Sequence, residues 1–170
     1  MNFISRTNYE IHKEHLRTLK LRMSIFEKSY PEMAGKSCKE LLRLPIRRTE
    51  REEAAVLKAD ILAHELYFSS FSAHNSTAEL VRKAYGSEAT FLYQLSRAAI
   101  EANGFLFVFA DKRGVPIWKA YREPLELFSQ GITPILALDL CEHAYFYDYF
   151  FNKAEYVKAA IAHLDLSKIK

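Results

Sequence analysis

A chain of 170 residues, 49% apolar and 14% aromatic, can bury a sizeable core, which excludes a disordered protein and leaves one globular unit or two small lobes sharing an interface. The formal charge is only +3 and the basic residues are scattered, the densest group being Arg43, Arg47, Arg48 and Arg51, so no nucleic-acid surface is indicated. No apolar run approaches the roughly 20 residues that span a bilayer, the first residues lack a signal-peptide core, and Cys38 and Cys141 are too few and too far apart for a disulfide framework, all of which predicts a cytoplasmic protein with no membrane partner.

In chain order, Thr7 to Glu10 has the form of a capping box, and Leu16, Leu19, Met23 and Phe26 recur at helical spacing until Pro31, predicting a helix over about 8–28. Lys36 to Leu44 predicts a short helix that ends before Pro45. Thr49 opens a long one through Ala54, Leu57, Ile61, Leu62, Leu66 and Phe68, so this half is a helical hairpin. After a connection at His74 to Ser76, helices start at Ser76 and Ser87, the second closing at Asn103-Gly104.

The character then changes. Phe105 to Ala110 is a β-rich run turned by Asp111 to Gly114, Pro116 to Tyr121 and Ile132 to Leu138 offer further strands, and helices follow over about 142–151 and 153–164. The expected class is α+β: a helical hairpin domain over 1–75, then a mixed domain over 76–170 with a small antiparallel three-stranded sheet and flanking helices.

The chemistry is concentrated where Gly131-Ile-Thr-Pro-Ile-Leu-Ala-Leu runs into Asp139, with His143 four residues on. A strand that delivers a carboxylate at its end and turns into a helix carrying an imidazole can aim both at one metal ion. His64 lies in the middle of the long apolar helix, and His12 and His15 lie on the first; a buried imidazole needs a partner, and a metal is one. His15, His74 and His163 read as ordinary surface or core histidines.

The text Asp139-Leu-Cys141-Glu142-His143-Ala-Tyr145-Phe146, followed by Asp148-Tyr149 and Tyr156-Val157, resembles the C-terminal motif of the iron/manganese superoxide dismutases. Upstream, Ala63-His64-Glu-Leu-Tyr67-Phe68 resembles the segment that carries another of that family's ligands, and counting back without gaps from Gly35-Lys36-Ser37 sets His12 on the remaining one. His15 could take that place only with a shifted alignment. The resemblance implies one iron or manganese ion per subunit, held by His12, His64, Asp139 and His143 between the two domains, that converts superoxide to dioxygen and hydrogen peroxide. It also implies a homodimer through Glu142, His143, Leu16 and Phe146.

Departures from the family pattern fall around those ligands. The family's entrance tyrosine and histidine stand here as Lys20 and Leu16, and the glutamine that hydrogen-bonds metal-bound solvent is replaced by Asp60 or, in the manganese forms, by Tyr121. Lys20, Asp60 and Tyr121 are therefore the candidate catalytic residues, with an ion pair expected between Lys20 and Asp60. Rival readings keep the fold and metal with dismutation altered or lost, as in a redox or metal-responsive protein or a metal-water hydrolase using Asp60 as base, or make every histidine structural in a helical binding module.

Overall fold

The computed structural model describes residues 3–72 and 78–169. The expected domain boundary at 75/76, His74 and the helix start at Ser76 lie outside the described residues.

Helix α1 spans Arg6–Ser29 and buries Asn8, His12, Leu16, Leu19 and Met23, a spacing of four, four, three and four that keeps them on one face. Its cap corrects the sequence expectation: Ser5, not Thr7, is the N-cap, its Oγ accepting the Asn8 amide at 3.1 Å. Asn8 lies on the buried face of the first turns, where its side-chain amide donates to the Ala144 carbonyl at 3.0 Å and ties the start of α1 to the C-terminal half. Past Pro31 the chain makes a 3-10 turn at Pro31–Met33 and the short helix α2, Cys38–Leu41, which opens with a Ser37/Glu40 capping box.

The long helix α3, Arg48–Ser69, returns alongside α1. Its buried face is rich in small residues, Ala54, Ala55, Ala59 and Ala63, which let the two helices approach closely, with His64 and Tyr67 near its C-terminal end. The helices α4 (Glu79–Tyr85) and α5 (Glu88–Glu101) follow, the second capped by Ser87 as its sequence predicts.

Three antiparallel strands, β1 (Phe105–Ala110), β2 (Pro116–Tyr121) and β3 (Leu136–Asp139), form a sheet in the order β2-β1-β3. The central strand is apolar at every position because both faces are covered. β3 is shorter than the sequence run from Ile132 suggests. The turn of helix α6 (Leu125–Phe128), which the sequence reading did not anticipate, leads into it. The chain ends with α7 (Glu142–Tyr149) and α8 (Lys153–Ile161).

Two apolar clusters result. A small one fills the hairpin with Leu16, Leu19, Met23, Met33, Leu41, Leu57 and Ile61. The larger holds the sheet, α5 and α8, and includes Ala63 and Tyr67, so the lower end of α3 is shared with the second half. Ser70, buried just past α3, fastens that junction: its hydroxyl donates to the Leu66 carbonyl at 2.7 Å and accepts the Ala137 amide of β3 at 2.8 Å.

Gly104 fixes the other side. Its φ is +79°, and a Cβ there would stand 2.4 Å from the Tyr121 carbonyl oxygen, while its own carbonyl accepts the Leu140 amide at 2.8 Å. Gly104→Ala combines a left-handed alanine with a backbone clash and is expected to cost about 2–5 kcal/mol. Thermal or denaturant melts of the metal-free protein check this, and a loss under 1 kcal/mol would show that β2 can move aside.

Candidate metal centre

Asp139 ends β3 opposite Phe105 of β1 and is fully buried. Its backbone carbonyl accepts the Tyr156 hydroxyl at 2.8 Å, and that hydroxyl meets the Tyr67 hydroxyl at 3.2 Å, so α8 and α3 both hold the strand end in place. Side-chain Oδ1 accepts the Cys141 amide at 2.9 Å, which closes the turn into α7 and leaves Oδ2 facing inward. Three imidazoles converge on Oδ2: His143 Nε2 at 2.9 Å, His12 Nε2 at 3.0 Å and His64 Nε2 at 3.5 Å.

One donor atom from each of His12, His64, Asp139 and His143 lies within 4.8 Å of the other three. Metal–ligand bonds of about 2.0–2.2 Å place ligand pairs about 3–4 Å apart, so the four fit a single ion. The hydrogen-bond record points the same way. His12 is fully buried, yet neither ring nitrogen has a hydrogen-bond partner among the described residues, since its approach to Asp139 is close but not aligned for one. A buried imidazole left in that condition costs free energy unless another partner satisfies it. His64 donates Nδ1–H to the Asp60 carbonyl at 2.7 Å, one turn back on α3, which fixes the tautomer that leaves Nε2 free to ligate.

The electrostatics are those of a ligand set. Burial, followed by the neighbouring His12 and His143, pushes His64 down to about 4 against the opposing pull of Asp139, so it is neutral at physiological pH. Burial works against ionising Asp139, but the His12 and His143 imidazoles outweigh it and hold the carboxyl well below the usual carboxylate range. His143 is raised, the hydrogen bond to Asp139 overcoming its own burial. Three imidazoles with one carboxylate make a mixed nitrogen and oxygen donor set suited to iron or manganese.

Residues 73–170 match the family model described as iron/manganese superoxide dismutases, C-terminal domain, which is more than half of the chain. The chain belongs to the iron/manganese superoxide dismutase family. It is similar to the "Superoxide dismutase [Fe]" of Legionella pneumophila, 27% identical over 109 residues (59% of this chain, 57% of that protein), and to that of Pseudoalteromonas translucida, 28% identical over 109 residues with the same coverage. The protein of the same name from Photobacterium leiognathi is 26% identical over 127 residues, 69% of this chain and 63% of its own length. The chain thus spans less than two thirds of these relatives. The family's metal is iron or manganese, and the four converging residues of this dismutase-family chain could bind it.

The residues expected around the ligands are arranged differently from the sequence expectation. Lys20 does not pair with Asp60: its Nζ lies 2.6 Å from Glu65 Oε1, at an exposed position one and a half turns further along α3. Asp60 is half-buried with no cation in ion-pair contact among the described residues, and burial, then Glu123 and Asp139, push its carboxyl up to about 6. Tyr121 ends β2, its ring beneath Lys119 Nζ and beside Phe107, and the ring of its ladder partner Phe105 meets His64 edge-on at 5.2 Å.

Leu16 is buried in the hairpin core at 5% exposure and has little surface to offer a second copy. His163, in the turn after α8, donates to the Ala159 carbonyl at 2.9 Å. His15 is not: its ring stands against both His64 and His143. The one sequence signal for that was its position three residues after His12, which keeps both on nearly the same face of α1. Cys141 is a half-buried thiol with Sγ 3.8 Å from the Gly104 carbonyl, and burial followed by Asp139 raises it far above an ordinary cysteine, so it stays protonated.

Proposed function

We propose that the chain is a superoxide dismutase in which His12, His64, Asp139 and His143 hold one iron or manganese ion. The observation that carries this reading is the convergence of four donor atoms around a buried His12 that has no other partner, in a chain of this family. Held by these four residues, the ion would supply the one-electron couple that dismutation needs, in which two superoxide ions and two protons give one dioxygen and one hydrogen peroxide.

The protein's share is to aim the ligands and, at His64, to keep the imidazole neutral. His64 is aimed by its bond to the Asp60 carbonyl, and Asp139 by the Cys141 amide and the Tyr156 hydroxyl. Asp60 stands close enough to sense the charge of Asp139 and His143, and so to bias the couple. The ligands divide in pairs between the hairpin over 1–75 and the mixed domain over 76–170, so binding the ion staples the two together.

A homodimer fits the surface around α7. His143 is the most exposed of the four ligands, with its side chain 34% accessible, and its Nδ1 has no hydrogen-bond partner among the described residues. Glu142 lies beside it, and Phe146, Tyr147, Phe150 and Phe151 form an exposed aromatic patch on the same element and the turn after it. In a twofold pair each Glu142 accepts from the other copy's His143 Nδ1. Glu142→Ala is expected to shift sedimentation toward the monomer at least tenfold in dissociation constant. An unchanged profile rejects this contact. Two unpaired thiols, Cys38 and Cys141, favour a reducing compartment such as the cytoplasm.

The test of the activity is reconstitution with iron and with manganese separately, followed by elemental analysis and superoxide decay, on wild type and His64→Ala. One metal form is expected to dismute superoxide, and His64→Ala to lose at least about 100-fold. Stoichiometric metal without dismutation in either form would overturn the activity while leaving the metal centre standing. His12 and His64 lie outside the residues 73–170 matched to the family model, so the experiment tests the half of the site that the family model does not cover.

A further inference from the structure

The centre contains a fourth imidazole that the ligand set does not use. The His15 ring centroid lies 4.6 Å from that of His143 and 4.9 Å from that of His64, distances as short as those among the ligand rings themselves, which are 5.0–5.4 Å. It nonetheless falls outside the four atoms that share a single point, and it makes no ion-pair contact with Asp139.

Its nitrogens are uncommitted. His64 and His163 each spend Nδ1 on the carbonyl one turn back, whereas neither nitrogen of His15 has a hydrogen-bond partner among the described residues. Its neighbours on α1 are engaged elsewhere, Leu16 in the hairpin core and Lys20 with Glu65. Position matters as much. His12 and Asp139 are fully enclosed and His64 nearly so, which leaves the side of His143 as the way in from solvent. His15 is half-buried and packs on that ring, so it borders the approach.

We propose that His15 is the anion-receiving residue of this centre, an imidazole whose N–H hydrogen-bonds a small anion arriving beside the metal from the His143 side. This rests on the metal-centre reading above and deepens it by naming a residue that selects and holds the substrate class, a small monoanion with an acceptor atom. A hydrogen bond to a charged acceptor is stronger than a neutral one, so its removal is felt in affinity more than in metal retention.

The experiment uses full-length protein loaded with ferric iron and titrated with azide as the probe, followed by its optical spectrum, for wild type, His15→Gln and His15→Phe. Glutamine keeps a donor; phenylalanine keeps the packed ring and removes it. All three are expected to hold the same iron content, with azide bound about tenfold more weakly by His15→Phe and within about threefold of wild type by His15→Gln. Equal azide affinity in His15→Phe and wild type overturns the proposal, as does equal weakening in both variants, which would make the role one of shape. Loss of iron from either variant overturns it differently, by making His15 a ligand. A wild type that takes up no iron fails the metal-centre reading itself, a result distinguishable from the others because it appears before any azide is added.

Discussion

Asp139→Asn is expected to lower affinity for iron or manganese by at least about 100-fold, more than the 10–100-fold that follows from losing a residue that merely orients a ligand. Oδ2 is where three imidazoles converge within 3.5 Å, and it provides the only negative charge in the donor set. Asparagine preserves shape and can still accept the Cys141 amide through its side-chain oxygen, so the turn into α7 survives. What it cannot supply is a charged oxygen. In the remaining position it either turns an NH2 group toward His12 and His143 or presents a neutral acceptor, and neither compensates a divalent or trivalent ion.

The same substitution acts on the metal-free protein. Asp139 is held ionised in a fully buried position by its imidazoles, and removing one side of a buried charged arrangement typically costs about 3–5 kcal/mol. The variant is therefore expected to melt lower without metal and to gain little on adding it, whereas wild type gains the full linkage term. Elemental analysis and melts with and without added ferrous or manganous ion are the measurements. A variant that keeps stoichiometric metal and melts like wild type would mean that the histidines alone form the site.

Asp60→Asn is expected to stabilise the metal-free protein at pH 8 by about 1–2 kcal/mol and to leave it unchanged near pH 4. Asp60 is half-buried, it faces Glu123 and Asp139, and Lys20 is committed to Glu65. Its folded-state value of about 6 lies above the ordinary 3.8. Between these values the unfolded chain has already released the proton that the folded chain keeps, so stability falls as pH rises through this window and stays lower above it. One unit corresponds to about 1.4 kcal/mol, and because the group is only half-buried, solvent screening reduces the full linkage to the smaller figure given.

Melts of both proteins at pH 4, 6 and 8 check the sign as well as the size. A gain that does not depend on pH would assign it to packing rather than charge. With metal bound the effect should shrink, because a cation beside Asp60 favours its anion. The reduction potential gives an independent readout: an anion near the centre favours the higher oxidation state, so Asp60→Asn should raise the potential by about 60 mV or more, tenfold in a one-electron equilibrium.

Much of this was legible in the chain itself. An apolar run ending in Asp139 with His143 four residues later requires only that the strand stop and the helix start between them, and both follow from local patterning. His12 and His64 sit on the buried faces of long helices whose periodicity sets the face without reference to the rest of the fold. The hairpin, the three strands and the final helices came from the same signals, because each is decided within ten to twenty neighbouring residues.

The surroundings of the ligands were not legible. Lys20 faces α3 as the spacing suggests, but whether a flexible four-carbon side chain meets Asp60 or Glu65 depends on how α1 and α3 are rotated against each other. Leu16 turns inward and His15 toward the ligands through that same rotation, one residue being about 100° around a helix. That Phe105, opposite Tyr121 in the ladder, sets its ring against His64 depends on strand register. The sequence by itself determined the helix faces and the strand end that carry His12, His64, Asp139 and His143, since local periodicity and spacing decide these, while the choice of those four as a set came from the family resemblance. Only the tertiary structure decided what stands beside them, since pairings across elements depend on packing angles and register that no local window contains.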